Sequence, residues 1–395
     1  MRGRFTLDDR AEQFYRMIPV DVPDGAAALS VTLAFDRAAG VLDLGCFGPH
    51  GPRGWSGGAR DRFTVATDWA TPGYLPGPLD AGTWHVCLGL HRIPPEGLDF
   101  ELTIDIGPAQ PPEPAPLPPV ADRPPRRELP AATGMRWLAG DLHSHTVHSD
   151  GALTIDELAG LAAAGGLDFL AITDHNTTSH HPYLPAAGTR AGVTLLPGQE
   201  VTRDHGHANA FGDIGWVDFR LPADDWLTQV SSRGGLMSVN HPLSGDCSWR
   251  HPMTGRPPFA EIWHHTWWDR SWGGPLSWWR IWGPDVLPLG GSDFHTPADG
   301  RPLGVPTTWV QSTGESVDEV LAGMAAGRIA ISAGRDAPVL LRVDDELVAI
   351  GAAGTYLVDP EERRQVVRAE RQSFPAGPGV HRLEDTRNAV VALAV

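Results

Sequence analysis

The feature that most constrains this fold is the segment Pro108–Pro130, which contains ten prolines. Proline donates no backbone hydrogen bond and fixes φ, so a segment this rich in proline does not pack as regular structure. We therefore predict an extended linker over residues 108–133. The sequence patterns on its two sides differ, which predicts separate structural parts.

Residues 1–107 are predicted to form an all-β, sandwich-like accessory domain. Short runs of β-forming residues recur there at close spacing, and Gly, Pro and Asp interrupt them, as is typical of β-sandwiches. These runs are AALSVTLAF, GVLDLGCFG, RDRFTVAT, TWHVCLGLH and LDFELTIDI.

After the linker, predicted helices and strands alternate. Thr154 and Ser316 each open a capping box, and glycines follow the two helices. A further helix is predicted from Pro222 to Val230, and the strands are LDFLAITDH, GGLMSVNHP and RIAIS. Residues 134–335 are thus predicted to be α/β, with a parallel sheet or barrel whose strand ends carry the active site. Residues 336–395, which include VLLRV and ELVAI, are predicted to be a small C-terminal β-containing segment.

Imidazole and carboxylate side chains recur at or just after the predicted strands. In DLHSHTVHSDG, residues 141–151, His143 and His145 are two residues apart, so at a strand end they point to the same face. ITDH, GQEVT, GHAN, NHP and GSDFH follow in this order. Divalent metal hydrolases use these ligand types, so the pattern predicts a multinuclear metal site built on strand ends.

Each motif alone also has an ordinary structural explanation. The Asp–His pair of ITDH fits a salt bridge at a strand end, and the histidine of NHP fits a turn with a satisfied ring. The H-x-H pair alone is weak evidence as well. Their combination in one order favours the metal site over a set of unrelated structural roles.

These motifs resemble the PHP (polymerase and histidinol phosphatase) superfamily of metallohydrolases, and their local wording is most similar to its CehA/McbA-type subgroup. The resemblance covers about Gly134 to Ser332. It implies a distorted (β/α)7 PHP-type barrel that holds two or three divalent metal ions. The β-rich N-terminal part is similar to the extra domain that some members of that subgroup carry.

The resemblance also implies which residues hold each ion. The first ion would be held by His143, His145, Glu200 and Asp293, the second by Asp150, His175 and His295, and the third by Glu200, His207 and His241. His148 is a rival of Asp150, and His205 is a rival of His207. Asp174 is expected to orient a neighbouring ligand, whereas His180 and His181 are at most residues of the pocket rim.

The chemistry implied is hydrolysis by a water that bridges the metal ions and is held by Glu200 and Asp293. Mixed nitrogen and oxygen ligation is compatible with Zn, Mn or Fe. A phosphate group would need cationic partners, and Arg203, Arg301 and Arg335 are the candidates; each also fits a surface ion pair. The expected substrate is a small organic phosphate, a monoester or a diester.

Eight tryptophans lie between Cys247 and Trp282, a region too broken by Gly and Pro for a simple amphipathic helix. They could pack a long insertion onto the core, or form an aromatic lid in which Trp263 contacts a flat leaving group. The lid suits either a phosphoesterase with an aromatic or nucleoside substrate or, as the alternative, a carboxyl-ester or carbamate hydrolase of carbaryl-hydrolase type. A non-catalytic binding role is the third possibility.

The charge and composition narrow the partners. A formal net charge of −17 disfavours nucleic acid polymers and anionic membranes. The chain has no lysine, which excludes Schiff-base catalysis and a P-loop lysine. Because the sequence has no signal-peptide pattern and no long apolar run, we expect a cytoplasmic protein. In that compartment the three cysteines are expected to be unpaired. The expected partner is a small-molecule substrate. The oligomeric state is left open.

Overall fold

The protein is represented by a computed structural model that describes residues 1–113, 116–267 and 273–395. Pro114 and Ala115 of the predicted linker lie outside the described residues, as do Trp268 and Trp272 of the tryptophan-rich region. None of the described helices combines the length and the apolar character that crossing a membrane would require.

The N-terminal part consists of two antiparallel four-stranded sheets. Its elements are β1 (Arg2–Phe5), α1 (Leu7–Glu12), β2 (Tyr15–Val22), β3 (Ala28–Phe35), β4 (Val41–Gly48), β5 (Gly51–Gly57), β6 (Arg62–Ala66), β7 (Gly82–Arg92) and β8 (Leu98–Ile106). The strand orders are β1-β8-β3-β6 and β2-β7-β4-β5. Alternate residues of β3, namely Leu29, Val31 and Leu33, are buried, and they share one core with Leu44 and Trp84 of the other sheet.

The five strand runs predicted from the sequence coincide with β3, β4, β6, β7 and β8. The structure adds β1, β2, β5 and the short helix α1, which begins after a capping box at Thr6. The described residues of the proline-rich segment contain no helix or strand. Arg123 and Arg126 of this segment both contact Asp168, so it lies against the α/β part rather than free in solvent.

A thirteen-stranded mixed sheet organises the rest of the chain. The strands and helices that follow the linker are β9 (Arg136–Asp141), α2 (Ile155–Ala164), β10 (Phe169–Ile172), α3 (Leu184–Ala191), β11 (Thr194–Arg203), β12 (Gly206–Phe211), α4 (Ala223–Ser232), β13 (Leu236–Val239), β14 (Phe259–His264), α5 (Gly273–Trp282), β15 (Leu287–Gly291), β16 (Thr307–Ser312), α6 (Val317–Ala325), β17 (Ile329–Ser332), β18 (Val339–Val343), β19 (Glu346–Ile350), β20 (Tyr356–Val358), β21 (Arg364–Val366), β22 (Arg371–Pro375), β23 (His381–Glu384) and β24 (Val390–Ala394). The order in the large sheet is β15-β14-β13-β12-β11-β10-β9-β16-β17-β24-β23-β20-β21.

This sheet is parallel only in part. The pairs β9–β10, β10–β11, β13–β14 and β14–β15 are parallel, as expected from the strand–helix–strand pattern. The pair β11–β12 is antiparallel, because a short connection between these strands replaces a crossover helix. The pairs β12–β13 and β9–β16 are antiparallel as well. The residues after 335 extend the large sheet through β24 and also form a three-stranded sheet, β18-β19-β22.

The helices begin where their caps predict. The side chains of Thr154 and Ser316 cap α2 and α6, and both capping boxes are complete. Helix α4 matches the predicted helix from Pro222. Helices α3 and α5 were not predicted, and α5 shows that the end of the tryptophan-rich region does form a regular helix.

The N-terminal sheets pack directly against the α/β part. Phe47 and Trp55 lie in one apolar core with residues of β11 to β14, and the ring of Trp55 is 4.7 Å from that of Phe219. Arg60 donates to the carbonyl groups of Ser149, at 2.8 Å, and of Val147. The hydroxyl of Thr177 donates to the Gly73 carbonyl at 2.8 Å. The N-terminal sheets therefore contact the loops that follow β9 and β10.

Candidate metal centre

The structure brings all nine predicted ligands together at one end of the large sheet. The residues that follow β9, β10, β13 and β15 meet there with side chains of β11 and β12. Parallel strands present their carboxyl ends at the same edge, which explains how motifs scattered over 150 residues converge. The converging set is His143, His145, Asp150, His175, Glu200, His207, His241, Asp293 and His295.

Glu200 of β11 lies at the centre of this set and is fully buried. Its carboxylate oxygens are 3.3 Å from Nε2 of His143 and 3.5 Å from Nε2 of His145. They are also 2.8 Å from Nδ1 of His175, 3.1 Å from Nδ1 of His207 and 3.3 Å from Nε2 of His241. One carboxylate thus faces five imidazoles, the arrangement expected of a bridging ligand.

Asp150 and Asp293 complete two neighbouring groups. The ligand atoms of His145, Asp150, His175 and His295 all lie within 4.8 Å of one another. Asp293 Oδ1 is 3.2 Å from His143 Nε2 and 3.1 Å from His145 Nε2.

Backbone strain marks the same place. Asn176, His241 and Asp293 have positive φ angles of 56°, 25° and 52°, a region that residues with a Cβ rarely adopt. Such strain persists where the surroundings fix it, and it concentrates at functional sites. Here it falls on two of the predicted ligands and on the residue after His175.

The electrostatic field of the cluster separates the carboxylates from the imidazoles. Burial opposes ionisation of Glu200, but His175, His143 and His207 outweigh it and hold the pKa of this carboxyl well below its usual range. Burial together with the neighbouring His295 and His175 lowers the pKa of His145 to about 4. Around neutral pH His145 is therefore neutral beside ionised carboxylates. Against the effect of burial, the same carboxylates raise the pKa of His143, His175 and His241, and raise that of His295 to about 9. Metal ions bound by these imidazoles would take the place of their protons.

The donor atoms fit divalent metal ions. Nε2 of His143 and Oε2 of Glu200 are buried, and although charged groups lie within 3.5 Å of both, none in the part of the chain that the structure describes meets them in hydrogen-bond geometry. Buried polar atoms are nearly always satisfied, so two such atoms in one cluster indicate a missing partner. Imidazole nitrogen with carboxylate oxygen is the donor set of Zn, Mn and Fe sites.

The sequence analysis missed Glu261 and His264, both on β14. Oε1 of Glu261 is 3.1 Å from Nδ1 of His143, and Oε2 accepts the backbone N–H of His241 at 2.8 Å. His264 Nε2 is 3.3 Å from Asp293 Oδ2. The two residues carry the same signal as the other motifs, a carboxylate and an imidazole on an apolar strand, FAEIWH. This strand lies inside the tryptophan-rich region, for which the sequence predicts an insertion or a lid rather than a ligand motif.

Further buried carboxylates hold the loops in place. Asp141, at the end of β9, accepts the backbone N–H groups of His143 at 3.2 Å, Ser292 at 3.0 Å and Gly304 at 2.8 Å. Asp174 accepts hydrogen bonds from the backbone N–H of Thr146 and from the hydroxyl of Ser149, on either side of His148. Asp174 thus has the environment of an orienting residue, as expected.

The structure distinguishes between the rival histidines. His148 is buried with Nδ1 2.8 Å from the Ser179 hydroxyl, whereas Asp150 faces the cluster. His205 is exposed and pairs with Asp204, so His207 is the histidine that reaches Glu200. His180 is fully buried against the carbonyl groups of Ile172 and Gly198, which places it away from the pocket rim.

A cavity of about 740 Å³ opens over the cluster, and it holds two of the four predicted substrate contacts. Arg203 and Arg301 line it. Arg335 does not, because its guanidinium binds the carbonyl groups of Gly166 and Pro125, so that prediction is corrected. Trp263 is corrected too, because its side chain is fully buried in the core beneath the sheet.

The tryptophans of the 247–282 region whose side chains the structure describes belong to the core rather than to a lid. Trp249 and Trp279 are buried in one apolar cluster, Trp278 and Trp282 are half-buried against it, and Trp263 is buried in a second cluster. Cys247, His265 and Thr266 are the residues of this region that reach the cavity. All three cysteines are free, and Cys46 and Cys87 are buried, as predicted.

Comparison with known proteins gives a family for part of the chain. Residues 141–234 match the family model of the PHP domain. This PHP segment contains six of the nine predicted ligands, and His241, Asp293 and His295 lie beyond its end.

Curated relatives match the same short stretch. The chain is 45% identical over 62 residues to a 3′,5′-nucleoside bisphosphate phosphatase of Chromobacterium violaceum, 44% identical over 64 residues to the 5′-3′ exoribonuclease Rnm of Salmonella typhimurium, and 39% identical over 62 residues to a phosphoribosyl 1,2-cyclic phosphate 1,2-diphosphodiesterase of Eggerthella lenta. Each match covers 16% of this chain, and 22%, 22% and 24% of the respective relative, so the chain spans less than a quarter of their length.

Solved structures with PHP-like parts are also similar to the chain. A two-domain protein containing a predicted PHP-like metal-dependent phosphoesterase, from Bacteroides vulgatus, has a TM-score of 0.43 at 17% identity, covering 69% of this chain and 91% of that chain. A protein from Bifidobacterium adolescentis that is named a putative metal-dependent phosphoesterase has a TM-score of 0.34 at 19% identity, covering 42% of this chain and 90% of that chain.

Proposed function

We propose that this protein is a metal-dependent phosphoesterase that hydrolyses a small organic phosphate, a monoester or a diester. The observation that carries the proposal is the convergence of five imidazoles on the buried carboxylate of Glu200, with Nε2 of His143 left without a hydrogen bond in the described structure. The PHP segment and the phosphatase, exoribonuclease and phosphodiesterase names of the relatives support it. They give no support to the ester or carbamate alternative.

The proposed ligand sets are those that the PHP resemblance implies. We assign His143, His145, Glu200 and Asp293 to one divalent ion, Asp150, His175 and His295 to a second, and Glu200, His207 and His241 to a third. Zn, Mn and Fe all suit this donor set, and two ions suffice for the chemistry. When bound, such ions supply an activated water and neutralise charge on the attacked phosphate.

The protein's own side chains would position the water and the substrate. Glu200 and Asp293 face the space between the imidazoles, where they would hold the attacking water. The cavity-lining guanidiniums of Arg203 and Arg301 would bind phosphate oxygens in the paired geometry that arginine favours. Nδ1 of His265 donates to the Ser292 carbonyl at 3.2 Å, which leaves Nε2 to accept from Arg301 and hold it in place.

We further propose that β9 to β16 form the distorted (β/α)7 PHP-type barrel of the CehA/McbA-type subgroup. Support comes from the two ends of this run of strands, because Gly290 of β15 donates to and accepts from the Thr308 hydroxyl of β16, at 3.2 and 2.8 Å. The proposed domain boundaries are those of the sequence analysis: an accessory domain at 1–107, a linker at 108–133, the barrel at 134–335 and a C-terminal segment at 336–395. A cytoplasmic location and a small-molecule substrate complete the proposal.

A panel of substrates tests this function. The protein, reconstituted in turn with Zn²⁺, Mn²⁺ and Fe²⁺, is offered p-nitrophenyl phosphate, bis-p-nitrophenyl phosphate, 1-naphthyl acetate and a short RNA oligonucleotide. We expect turnover of at least one nitrophenyl phosphate and its loss after chelation. Hydrolysis of the naphthyl ester alone would overturn the proposal, and turnover of the RNA alone would overturn the small-molecule assignment.

A further inference from the structure

One wall of the cavity is built by the N-terminal sheets rather than by the PHP segment. Tyr15 of β2, Asp43 of β4, Trp55 of β5 and His91 of β7 line the same cavity as Glu200. These four residues are called here the sheet wall. The contacts of Arg60 with the carbonyl groups of Val147 and Ser149 fix the wall to the loop that carries Asp150.

Asp43 is the unusual member of the sheet wall. Asp43 is only 9% exposed, and no residue that the structure describes donates a hydrogen bond to its carboxylate. Nδ1 of His91 lies 4.0 Å from it, beyond hydrogen-bond distance, and burial lowers the pKa of this imidazole. By contrast, the buried Asp141 accepts three backbone N–H groups. A buried acceptor that faces a cavity and lacks a donor is suited to a donor brought by a ligand.

Glycines make room for this carboxylate. Gly89 is the partner of Asp43 in the pairing of β4 with β7, and a Cβ on Gly89 would lie 2.6 Å from Oδ2 of Asp43. Cβ atoms on Gly57 and Gly58 would approach Oδ1 to 3.8 and 3.7 Å. Small residues rather than hydrogen-bond donors therefore accommodate Asp43, and burial raises its pKa to about 7.

Two aromatic rings belong to the same wall as the carboxylate. Tyr15 and Trp55 pack edge to face with their centroids 6.0 Å apart. The guanidinium of Arg203, which also lines the cavity, lies 5.8 Å from the Tyr15 ring. The sheet wall thus combines aromatic side chains with one hydrogen-bond acceptor, and the guanidinium of Arg203, proposed above as a phosphate contact, lies beside it. The metal ligands and Arg301 line the rest of the same cavity.

We propose that the sheet wall is the subsite for the organic group of the substrate, and that Asp43 accepts hydrogen bonds from hydroxyl or amino groups on it. The chemical class this selects is a phosphate ester of a hydroxylated ring compound, such as a sugar or a nucleoside. The inference rests on the proposed function for the phosphate end. A carboxylate disfavours a second anionic group at this wall, so the organic group carries no negative charge of its own.

The test compares two substrates in two variants. Asp43→Asn keeps the shape of the side chain and removes its charge, and Asp105→Asn changes an exposed carboxylate of β8 as the matched control. In an assay above pH 7, where Asp43 is ionised, Asp43→Asn is expected to lower kcat/KM for adenosine 5′-monophosphate about tenfold or more, because a neutral amide oxygen is a weaker acceptor than a carboxylate. For p-nitrophenyl phosphate, whose leaving group carries no donor, the change is expected to stay within about twofold. An equal change for both substrates, or none for either, would overturn the inference.

Binding of adenosine, which has no phosphate, separates this inference from the proposed function. Saturation-transfer NMR is expected to detect adenosine on the wild-type protein and on Asp105→Asn, with a weaker signal on Asp43→Asn. If no phosphate ester is hydrolysed but adenosine binding depends on Asp43, the phosphoesterase proposal fails and the subsite stands. If nitrophenyl phosphates are hydrolysed but adenosine does not bind, or binds equally to all three proteins, the subsite fails and the phosphoesterase stands. Asp43→Leu, checked by circular dichroism, repeats both measurements without any acceptor at this position.

Discussion

The two ends of the cavity are built in different ways. The metal end, meaning the nine proposed ligands around Glu200, is built from short motifs in which ligand residues follow one another closely. An example is the two histidines and the aspartate within residues 143–150. The sheet wall uses single residues from four strands, none of which stands in a distinctive motif. The reaction chemistry is therefore encoded locally in the sequence, whereas the surface that would recognise the substrate depends on how two distant parts of the chain pack.

The largest effect is expected at the metal end. His143→Ala and Asp293→Ala should each remove bound metal and lower phosphoesterase activity by at least about a hundredfold, because each residue faces other ligands in the centre of the cluster. Elemental analysis of ions per chain and turnover of p-nitrophenyl phosphate measure this. His50→Ala, at an exposed imidazole, is the matched control. Normal turnover by either cluster variant would contradict the assignment.

Arg301 should show a smaller loss that affects substrate binding more than metal binding. Arg301→Ala removes a guanidinium that lines the cavity and that His265 holds in place. Loss of a charge-assisted contact predicts a rise in KM of about 10- to 100-fold with metal content unchanged. Arg62→Ala, on an exposed strand residue, serves as the control, and a fall in metal content in Arg301→Ala would count against this role.

Glu261 tests how far the metal end extends beyond the predicted ligands. Glu261→Gln weakens its contact with His143 and its acceptance of the His241 N–H, so the metal affinity should fall about 10-fold. A competition titration with a fluorescent chelator measures this, with the exposed Glu96→Gln as control. An unchanged affinity would show that Glu261 does not position the two histidines.

Arg60 tests whether the sheet wall and the metal end behave as one unit. Arg60→Ala removes the hydrogen bonds to Ser149 and Val147, at a cost of about 1–3 kcal/mol in the free energy of unfolding. Thermal unfolding should remain a single transition. Its Tm should fall by a few degrees, because a loss of about 1 kcal/mol lowers the Tm of a domain of about 150–250 residues by about 2–4 °C. The exposed Arg37→Ala is the control, and two separate transitions in the wild type would contradict a shared unit.

The sequence was sufficient wherever the signal is local. Capping boxes at Thr154 and Ser316 located two helices, and ligand residues at strand ends located the cluster around Glu200. It failed where the direction of a side chain depends on an irregular backbone. In β14 the register shifts between Glu261 and Trp263, so Trp263 enters the core while Glu261 and His264 both reach the cluster. Simple alternation along a strand would place Glu261 and Trp263 on the same face.

The sequence could not predict the sheet wall, for a different reason. The alternation of buried residues in β3 shows which side chains leave the strand on each side, but not what lies opposite them, and in β4 the residues from Leu42 to Phe47 are all buried. The contact of Trp55 with Phe219 joins residues more than 160 positions apart, and only the packed structure reveals it. The same holds for Arg335, whose position gave no sign that it would bind backbone carbonyl groups away from the cavity.

The apolar core shared by Phe47, Trp55 and the strands β11 to β14 has a consequence for how substrate range can change. A recognition module joined only by a tether can be exchanged whole, because its removal uncovers little apolar surface. Here, exchanging the N-terminal sheets for another fold would expose large apolar side chains to water. It would also disturb β11 and β12, which carry Glu200 and His207. Divergence towards new substrates should therefore proceed by point substitutions at positions such as Asp43 and Gly89, and laboratory evolution libraries are best concentrated there.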